Sequence, residues 1–495
     1  MKRFIVLIII MILPIMVNAK DITNECKIKV GYYPTKDITD DNFSTFLTKS
    51  KNYSITVECD ENIKNVYIMY HDHATKGKIL FDNYENIVGQ NGYLHELIKV
   101  NNNVNTFKIQ YDDEFSIADI YIYNDDNLPD MVQDWKNLDT ADLMLFTTHA
   151  DDEQLFFAGL MPTYVDAGKK IQVVYFTRHT NNVLRYHELL NGLWAVGIKY
   201  YPVVSDFPDA WATTRDGALL NLQNAGFSLE DAIKYEVTQI RKYKPYVVVG
   251  HDEKGEYSHG QHMLNTYVLE SAYKLAYDKN YTIEGVGYEP WEIQKLYLHL
   301  YKENPIILDY DKPLSSFGGK TAYEVSKIGY SYHLSQQDYW FTDWLNGKNN
   351  SFTSATQIKT YSPCEYGLYY SAVGEDKEKN NMFENVKDVK NTKEPIKEDQ
   401  NQDQNTTVDI NNNSLGSNIL LYVAIGIVNL VNIFEPQSVI IGGGVCAQGV
   451  KLTRPIQQIV RDKAYGGNCK TEIKVAKLGN DAGIVGAAML GNYQE

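Results

Sequence analysis

Basic side chains are in deficit: 47 lysines and arginines stand against 63 aspartates and glutamates, a formal charge of −16. That balance disfavours nucleic acid as a partner, because displacing the counterions of phosphates needs a basic surface. Cysteine is scarce too. Its five copies, Cys26, Cys59, Cys364, Cys446 and Cys469, contain no C-x-x-C pair, which argues against a zinc ribbon. Long apolar runs are missing as well. The N-terminal run from Phe4 to Val17 is shorter than the roughly 20 residues of a membrane-spanning helix. With 44% apolar and 22% charged residues, the composition is that of a globular protein, which excludes wholesale disorder, collagen and a polytopic membrane protein.

What is present begins with an export signal. Lys2 and Arg3 precede the apolar run, and Val17-Asn18-Ala19 offers small residues for cleavage after residue 19. The alternative is an uncleaved anchor; either places the bulk of the chain outside the cytosol, secreted or at the cell surface. There Cys26 and Cys59, both in strand-like segments of one domain, could form a disulfide. Thirty-eight tyrosines help raise the aromatic share to 12%, which suits stacking on sugar rings and ordinary β-strands alike.

At roughly 100 to 200 residues per domain, the length predicts about three domains. Residues 20–138 carry short alternating runs, Lys27 to Tyr33, Tyr53 to Cys59, Asn65 to Tyr70, Thr106 to Tyr111 and Ile117 to Tyr123, separated by Asn, Asp and Gly clusters. This spacing predicts an antiparallel β-sandwich. It holds no catalytic constellation and reads as an accessory module that touches a cell-surface polymer or only packs. Residues 139–373 change to strand and helix in alternation: strands Leu143 to Thr148, Ile171 to Thr177 and Tyr246 to Gly250, and helices Glu153 to Ala167, Leu184 to Val196 and Leu229 to Tyr243. Such a pattern predicts an α/β domain, Rossmann-like, with a parallel sheet and ligands beyond the carboxyl ends of its strands. Residues 374–416 are rich in Asn, Lys, Asp, Glu and Gln and read as a disordered linker, with too few apolar side chains to offset ordering entropy. Residues 417–495 follow as a partial α/β fragment with an apolar helix, Ile419 to Phe434, and a short strand, Ser438 to Ile441. A membrane anchor competes for that helix, but Asn429 and Asn432 interrupt it.

The chemistry-bearing residues stand where the fold predicts a site. His149-Ala150-Asp151-Asp152-Glu153 follows one strand; an imidazole and the carboxylate three residues on can converge on a metal. Taken alone, the cluster reads equally as an acidic helix cap. A second cluster follows another strand: His251-Asp252, then Gly255-Glu256-Tyr257-Ser258-His259-Gly260-Gln261-His262. His259 and His262 share one face of a helix start, so one can bind metal while the other reaches the reacting group.

These clusters resemble the motifs of the LmbE-like, PIG-L de-N-acetylase family, P/A-H-P-D-D-E and G-x-Y-G-H-P-D-H, and the likeness runs over about 139–345. Gln261 replaces the second motif's aspartate and a proline is lost from each motif, changes expected to alter the surroundings of the metal. The resemblance implies a hydrolase that removes acetyl from an N-acetylated, N-acetylglucosaminyl-type sugar. It implies one Zn2+ held by His149, Asp152 and His262, with the water it holds lowered from a pKa of ~15.7 toward ~7. Asp151 would be the general base, and His259 and Tyr257 would donate hydrogen bonds to the oxyanion. Arg178 and Asp206 occupy loops where relatives hold sugar hydroxyls. His333 is placed in the cleft by a late motif, with a capped structural histidine as the alternative. Arg185 reads as an ion-pair or packing residue.

The end of the chain resembles the C-terminal part of ROK-family sugar kinases through Gly426 to Pro436, Val439 to Val445 and Leu478 to Ala488. The kinase phosphate loop, catalytic aspartate and Cys-rich motif have no counterpart in the sequence, so the tail reads as a kinase-like fragment. Two other functions therefore stand beside the deacetylase: an inactive carbohydrate-binding protein on the same fold, and, least favoured, a sugar kinase.

Overall fold

The structure, a computed structural model, describes residues 20–179 and 182–390 and short stretches between 424 and 475. The expected export signal, the linker beyond residue 390 and most of the kinase-like tail lie outside the described residues. Two compact units, Met1–Thr392 and Lys393–Glu495, make up the chain. No helix among the described residues is long and apolar enough to cross a membrane.

The first part of the larger unit is all-β and antiparallel. Its strands are β1 (Lys27–Val30), β2 (Tyr33–Pro34), β3 (Leu47–Lys49), β4 (Ser54–Tyr70), β5 (Gly77–Leu80), β6 (Glu85–Val88), β7 (His95–Tyr111) and β8 (Phe115–Tyr123). The runs around 53–59 and 65–70 join into the single long β4, with the register shifting between Glu58 and Asn65. One edge of β4 pairs with β7 throughout; the other takes β1 in its first half and β8 in its second. Cys26 and Cys59 form the expected disulfide, which closes a loop over 33 positions and so restricts the unfolded chain by about 3–4 kcal/mol.

The second part is mixed α/β. Strands β9 (Leu143–Thr147), β10 (Ile171–Tyr175), β11 (Val203–Val204), β12 (Val247–Gly250), β13 (Lys295–His299), β14 (Pro305–Ile307) and β15 (Glu365–Ser371) lie in the order β11-β10-β9-β12-β13-β15-β14. The first five are parallel, as expected. β15 and β14 depart from the all-parallel expectation and add an antiparallel edge. Because successive strand residues face opposite sides, Leu143 and Leu145 enter one core while Met144 and Phe146 enter another. Helices α1 (Asp152–Leu155), α2 (Leu160–Asp166), α3 (Leu184–Ala195) and α7 (Ala322–Ser331) cover the first face; α4 (Arg215–Asn224), α5 (Leu229–Tyr243) and α6 (Gly260–Tyr277) cover the second. Helix α8 (Tyr339–Asn346) contacts α1.

The helix expected over 153–167 is broken between α1 and α2. Gly159 turns there at φ +92°, and a Cβ on it would meet the Tyr310 ring at 2.3 Å, so the break needs glycine. Residues 374–390, read from composition as linker, instead pack on the sheet. Asp376 is buried against Lys295 and the Tyr297 hydroxyl, Met382 is fully buried with its N–H on the Tyr164 hydroxyl, and Lys387 bonds Gln294. Composition counts polar residues without seeing that partners satisfy them.

The two parts of this unit are joined by buried and part-buried polar contacts. His95 Nε2 lies 2.8 Å from His187 Nδ1 on α3, His187 Nε2–H donates to the His71 carbonyl at 2.7 Å, and the Leu94 N–H donates to the Tyr201 hydroxyl at 3.0 Å. In the smaller unit, β16 (Ser438–Ile441) pairs in parallel with β17 (Glu472–Val475), and α9 (Val450–Lys463) buries Ile456 and Val460 with Ile473.

One core residue opposes the fold. Glu236 on α5 is fully buried and neither carboxylate oxygen has a hydrogen-bond partner; burial pushes its pKa well above the ordinary 4.5. The unfolded chain ionises it more readily, so the contribution of this residue to stability is fully present below that ordinary value and is lost as the pH rises toward the raised one. Glu236→Leu is expected to raise Tm by several degrees at pH 8 and by less at pH 5, since an unpaired buried polar group costs about 1–3 kcal/mol. A thermal melt of the variant at both pH values checks this; an unchanged or lower Tm at pH 8 contradicts it.

Candidate active site and metal centre

The turn after β9 sets two neighbouring carboxylates in different directions. Asp151 adopts φ +131° as the residue preceding α1, a conformation that costs an ordinary residue about 1–3 kcal/mol and persists only where its surroundings enforce it. They do so here: the Asp151 N–H donates to Glu153 Oε2 at 2.9 Å, and the His149 N–H donates to Asp152 Oδ2 at 2.7 Å. Across the sheet, Gly255 and the short turn Glu256–Ser258 lead into α6, where the His259 Nδ1 accepts the Gln261 N–H at 3.2 Å and so caps the helix. His262 follows in the first turn.

Three ligand atoms converge. His149 Nδ1 lies 3.0 Å from Asp152 Oδ2 and 3.2 Å from His262 Nε2, and His262 Nε2 lies 3.1 Å from Asp152 Oδ2. Tetrahedral bonds of about 2.0–2.1 Å place neighbouring ligands about 3.3 Å apart, so this triangle has the edge lengths of a zinc site. The outer nitrogens orient the lone pairs. His262 Nδ1 is 2.7 Å from Glu256 Oε2 and carries its proton there; His149 Nε2 is 3.0 Å from Gln261 Oε1. The Gln261 amide is fixed in that sense because its Nε2 donates to the Pro208 carbonyl at 2.7 Å. The two inner imidazole nitrogens and a carboxylate oxygen thus face one point, where positive charge is favoured, whether a metal ion or protons shared with Asp152. The protonation equilibria carry the same sign. Burial lowers the His262 pKa, but Asp152 and Glu256 outweigh it and push it up to about 10, while against its own burial Asp152 is held well below the carboxylate range by His262 and His149. Gln261, where the PIG-L motif has aspartate, still holds the outer nitrogen of His149, with a neutral acceptor in place of a charge.

Glu256 is a residue that motif reading left without a role. Its carboxylate bonds His251 Nδ1 at 2.8 Å, His262 Nδ1 at 2.7 Å and His299 Nδ1 at 2.6 Å, all fully buried. Against burial, these imidazoles hold it well below the ordinary carboxylate range. His251 is near Asp152 and His262, but its Nε2 already accepts the Thr148 N–H at 3.1 Å; it braces the β9 turn and has no lone pair left for a metal. His299 lies 43 positions from Glu256, and no local signal links them.

Asp151 stands beside the ligands. Burial, and next the charge of Asp152, push its carboxyl up to about 7. Arg185 sits 3.5 Å from its Oδ1, donates to the Ala150 carbonyl at 2.7 Å and lies 3.5 Å from Asp209, in keeping with its reading as an ion-pair residue. Asp209 was missed in the sequence, and His179 was read only as part of the loop that carries Arg178: His179 Nε2 accepts the Ala150 N–H at 3.0 Å, and its Nδ1 is 2.8 Å from Asp209, whose other oxygen is 3.5 Å from His149. The ring of His259 lies 4.5 Å from that of His149 and 4.7 Å from that of His262. Burial, then His149, push its pKa down to about 2, so the ring is neutral and, with Nδ1 accepting, carries its proton on Nε2. Tyr257 packs edge-on against His259 and His262 and is flanked by Trp211 and Trp340, both largely exposed.

The remaining expected residues divide. Arg178 and Asp206 come together as an exposed pair at 2.8 Å on the wall of a cavity of about 540 Å³. His333 does not line a cleft. It is fully buried, and its Nε2 meets Glu153 Oε1 at 2.7 Å, so it supports the carboxylate that holds the Asp151 backbone.

Residues 144–273 match the GlcNAc-PI de-N-acetylase family, PIG-L. The PIG-L match contains all six of the metal and catalytic candidates, and a separate match to the ROK family covers residues 386–493. A 1D-myo-inositol 2-acetamido-2-deoxy-alpha-D-glucopyranoside deacetylase of Thermobispora bispora is 38% identical over 84 residues, 16% of this chain and 26% of that protein. A glucokinase of Halalkalibacterium halodurans is 37% identical over 83 residues, 17% of this chain and 25% of that protein. The chain thus spans about a quarter of the length of each of these curated relatives. Among solved structures, the N,N'-diacetylchitobiose deacetylase of Pyrococcus horikoshii is 16% identical, with a TM-score of 0.33 and coverage of 46% of this chain and 84% of that one. A conserved protein of Thermus thermophilus is 19% identical, with a TM-score of 0.30 and coverage of 40% and 80%.

Proposed function

We propose that the protein is an exported, zinc-dependent hydrolase that removes the acetyl group from an N-acetylated amino sugar. The observation that carries this reading is the triangle of His149 Nδ1, Asp152 Oδ2 and His262 Nε2, with edges of 3.0 to 3.2 Å and Asp151 beside it. The PIG-L match and the deacetylase relative support the substrate class. The disulfide between Cys26 and Cys59 supports an oxidising compartment, and with it export.

Zinc held by His149, Asp152 and His262 would supply Lewis-acid activation of a water molecule and of the acetamide carbonyl. The protein's own groups do the rest. Asp151 takes the proton of the attacking water and returns it to the leaving amine, a transfer worth roughly 10²- to 10⁴-fold. Arg185 fixes the orientation of Asp151. His259, through its Nε2–H, and Tyr257, through its hydroxyl, donate to the oxygen that gains charge as the carbonyl is attacked. Glu256 and Gln261 keep the two ligand imidazoles in the tautomers that face the metal. The products are acetate and a free amine.

The test combines elemental analysis with acetate release from a panel of N-acetylated mono- and oligosaccharides and glycoconjugates. One zinc per chain and zinc-dependent acetate release are expected. A fully zinc-loaded protein that binds these sugars saturably without releasing acetate would overturn the hydrolase in favour of an inert carbohydrate-binding protein.

A further inference from the structure

We infer that the N-terminal antiparallel module forms one wall of the substrate cleft, and that the cavity between it and the α/β part takes the sugar unit adjoining the acetylated one. The inference rests on the deacetylase reading and gives it a substrate class, a glycan of at least two units.

The 540 Å³ cavity is composite: Asp72, His73 and Leu94 come from the antiparallel module, and Arg178, His179 and Asp206 from the loops after β10 and β11. Its volume falls within the roughly 300–1,000 Å³ of small-molecule sites. It also shares a wall with the surroundings of the candidate site. His179, on its wall, accepts the N–H of Ala150, the residue before Asp151, and shares Asp209 with His149. A ligand filling the cavity therefore lies against the side chain that holds the turn carrying the candidate base.

The chemistry of the lining fits a pyranose. Two exposed polar pairs face the opening, Asp72 with His73 at 2.8 Å and Arg178 with Asp206 at 2.8 Å, one from each part of the chain. Together they offer two carboxylates, a guanidinium and an imidazole, the donors and acceptors that a ring of hydroxyls needs. Behind them Leu94, Val183, Tyr186 and Leu189 give an apolar surface for the C–H faces of the ring. The neighbouring wall is held by the buried contact from His95 to His187 and the part-buried ones from His187 to the His71 carbonyl and from Leu94 to Tyr201, which flank the segments that form it.

Two variants of the full-length protein test this. Ala74 also lines the cavity on the antiparallel side, and Ala74→Trp sets an indole there. The double variant Asp72→Asn, His73→Ala alters an exposed pair and leaves the core untouched. Each is assayed for acetate release with N-acetylglucosamine and with β-1,4-linked tri-N-acetylglucosamine, and by calorimetric titration with the trisaccharide in an Asp151→Asn background that blocks turnover. The ratio of kcat/KM for the trisaccharide over the monosaccharide is expected to fall tenfold or more in Ala74→Trp and severalfold in the double variant, with a parallel rise in the trisaccharide Kd. An unchanged ratio and unchanged Kd in the correctly folded double variant, or equal losses on both sugars in both variants, would overturn the inference while leaving the deacetylase reading intact. Cavity-dependent binding of the trisaccharide without acetate release by the wild type would overturn the deacetylase reading and retain the subsite.

Discussion

His262→Ala is expected to lose its zinc and, with it, acetate release, by well over a hundredfold in both apparent metal affinity and kcat/KM. The magnitude follows from the geometry. His262 Nε2 is the vertex shared by the edges to Asp152 and His149, 3.1 and 3.2 Å long, so removing it leaves two ligands that no longer enclose a point. Changing only a group behind a ligand costs about 10- to 100-fold in metal affinity or activity, and Glu256→Gln, which keeps the shape and removes the charge behind His262, should fall in that range. The ordering His262→Ala worse than Glu256→Gln is itself the result to look for in a competitive chelation titration. Retention of stoichiometric zinc by His262→Ala would mean that the metal lies elsewhere.

Asp151→Asn is expected to keep its zinc and lose kcat by 10²- to 10⁴-fold, the usual worth of a positioned general base, with KM changed little. Zinc content separates this variant from the ligand variants, because Asp151 is not a vertex of the triangle. A second readout runs the opposite way. Burial and the neighbouring Asp152 raise the Asp151 pKa to about 7, so the folded, metal-free protein binds this proton more tightly than the unfolded chain. The contribution of this group to stability is then fully present below the ordinary carboxyl pKa and is lost as the pH rises through the raised one. Asparagine removes that loss, so metal-free Asp151→Asn should melt higher than metal-free wild type at pH 8. Reduced zinc content together with a lower Tm would instead make Asp151 a structural residue.

The two histidine-and-carboxylate clusters were legible in the sequence because their spacing is local: three positions set His149 against Asp152, and a strand placed before each cluster puts both at the same edge of the sheet. The clasp of Glu256 on three imidazoles was not legible. His299 ends a different strand, and only the packing of β13 beside β12 brings it to Glu256. His333 was left between two readings, cleft and structural histidine, for a related reason. A motif can put a histidine near a site without saying on which side of it, and the pairing with buried Glu153 settled its place behind the Asp151 turn. Helix periodicity ran straight through residues 153–167 because the obstacle, the Tyr310 ring over Gly159, lies about 150 positions away. The strands of the antiparallel module were found by alternation, but the continuity of β4 was not, since the Asp-Glu-Asn cluster at 60–62 reads as a turn and the structure keeps it extended.

The packing of residues 374–390 also sets where the protein can be shortened. A fragment cut at 373, where the polar composition begins, would remove Asp376, the buried counter-charge of Lys295, and open that ammonium and the Tyr297 hydroxyl to water. It would also bare the surface under Met382. Cutting beyond Lys390 spares both, so expression boundaries for the catalytic part belong after the last residue that the sheet holds.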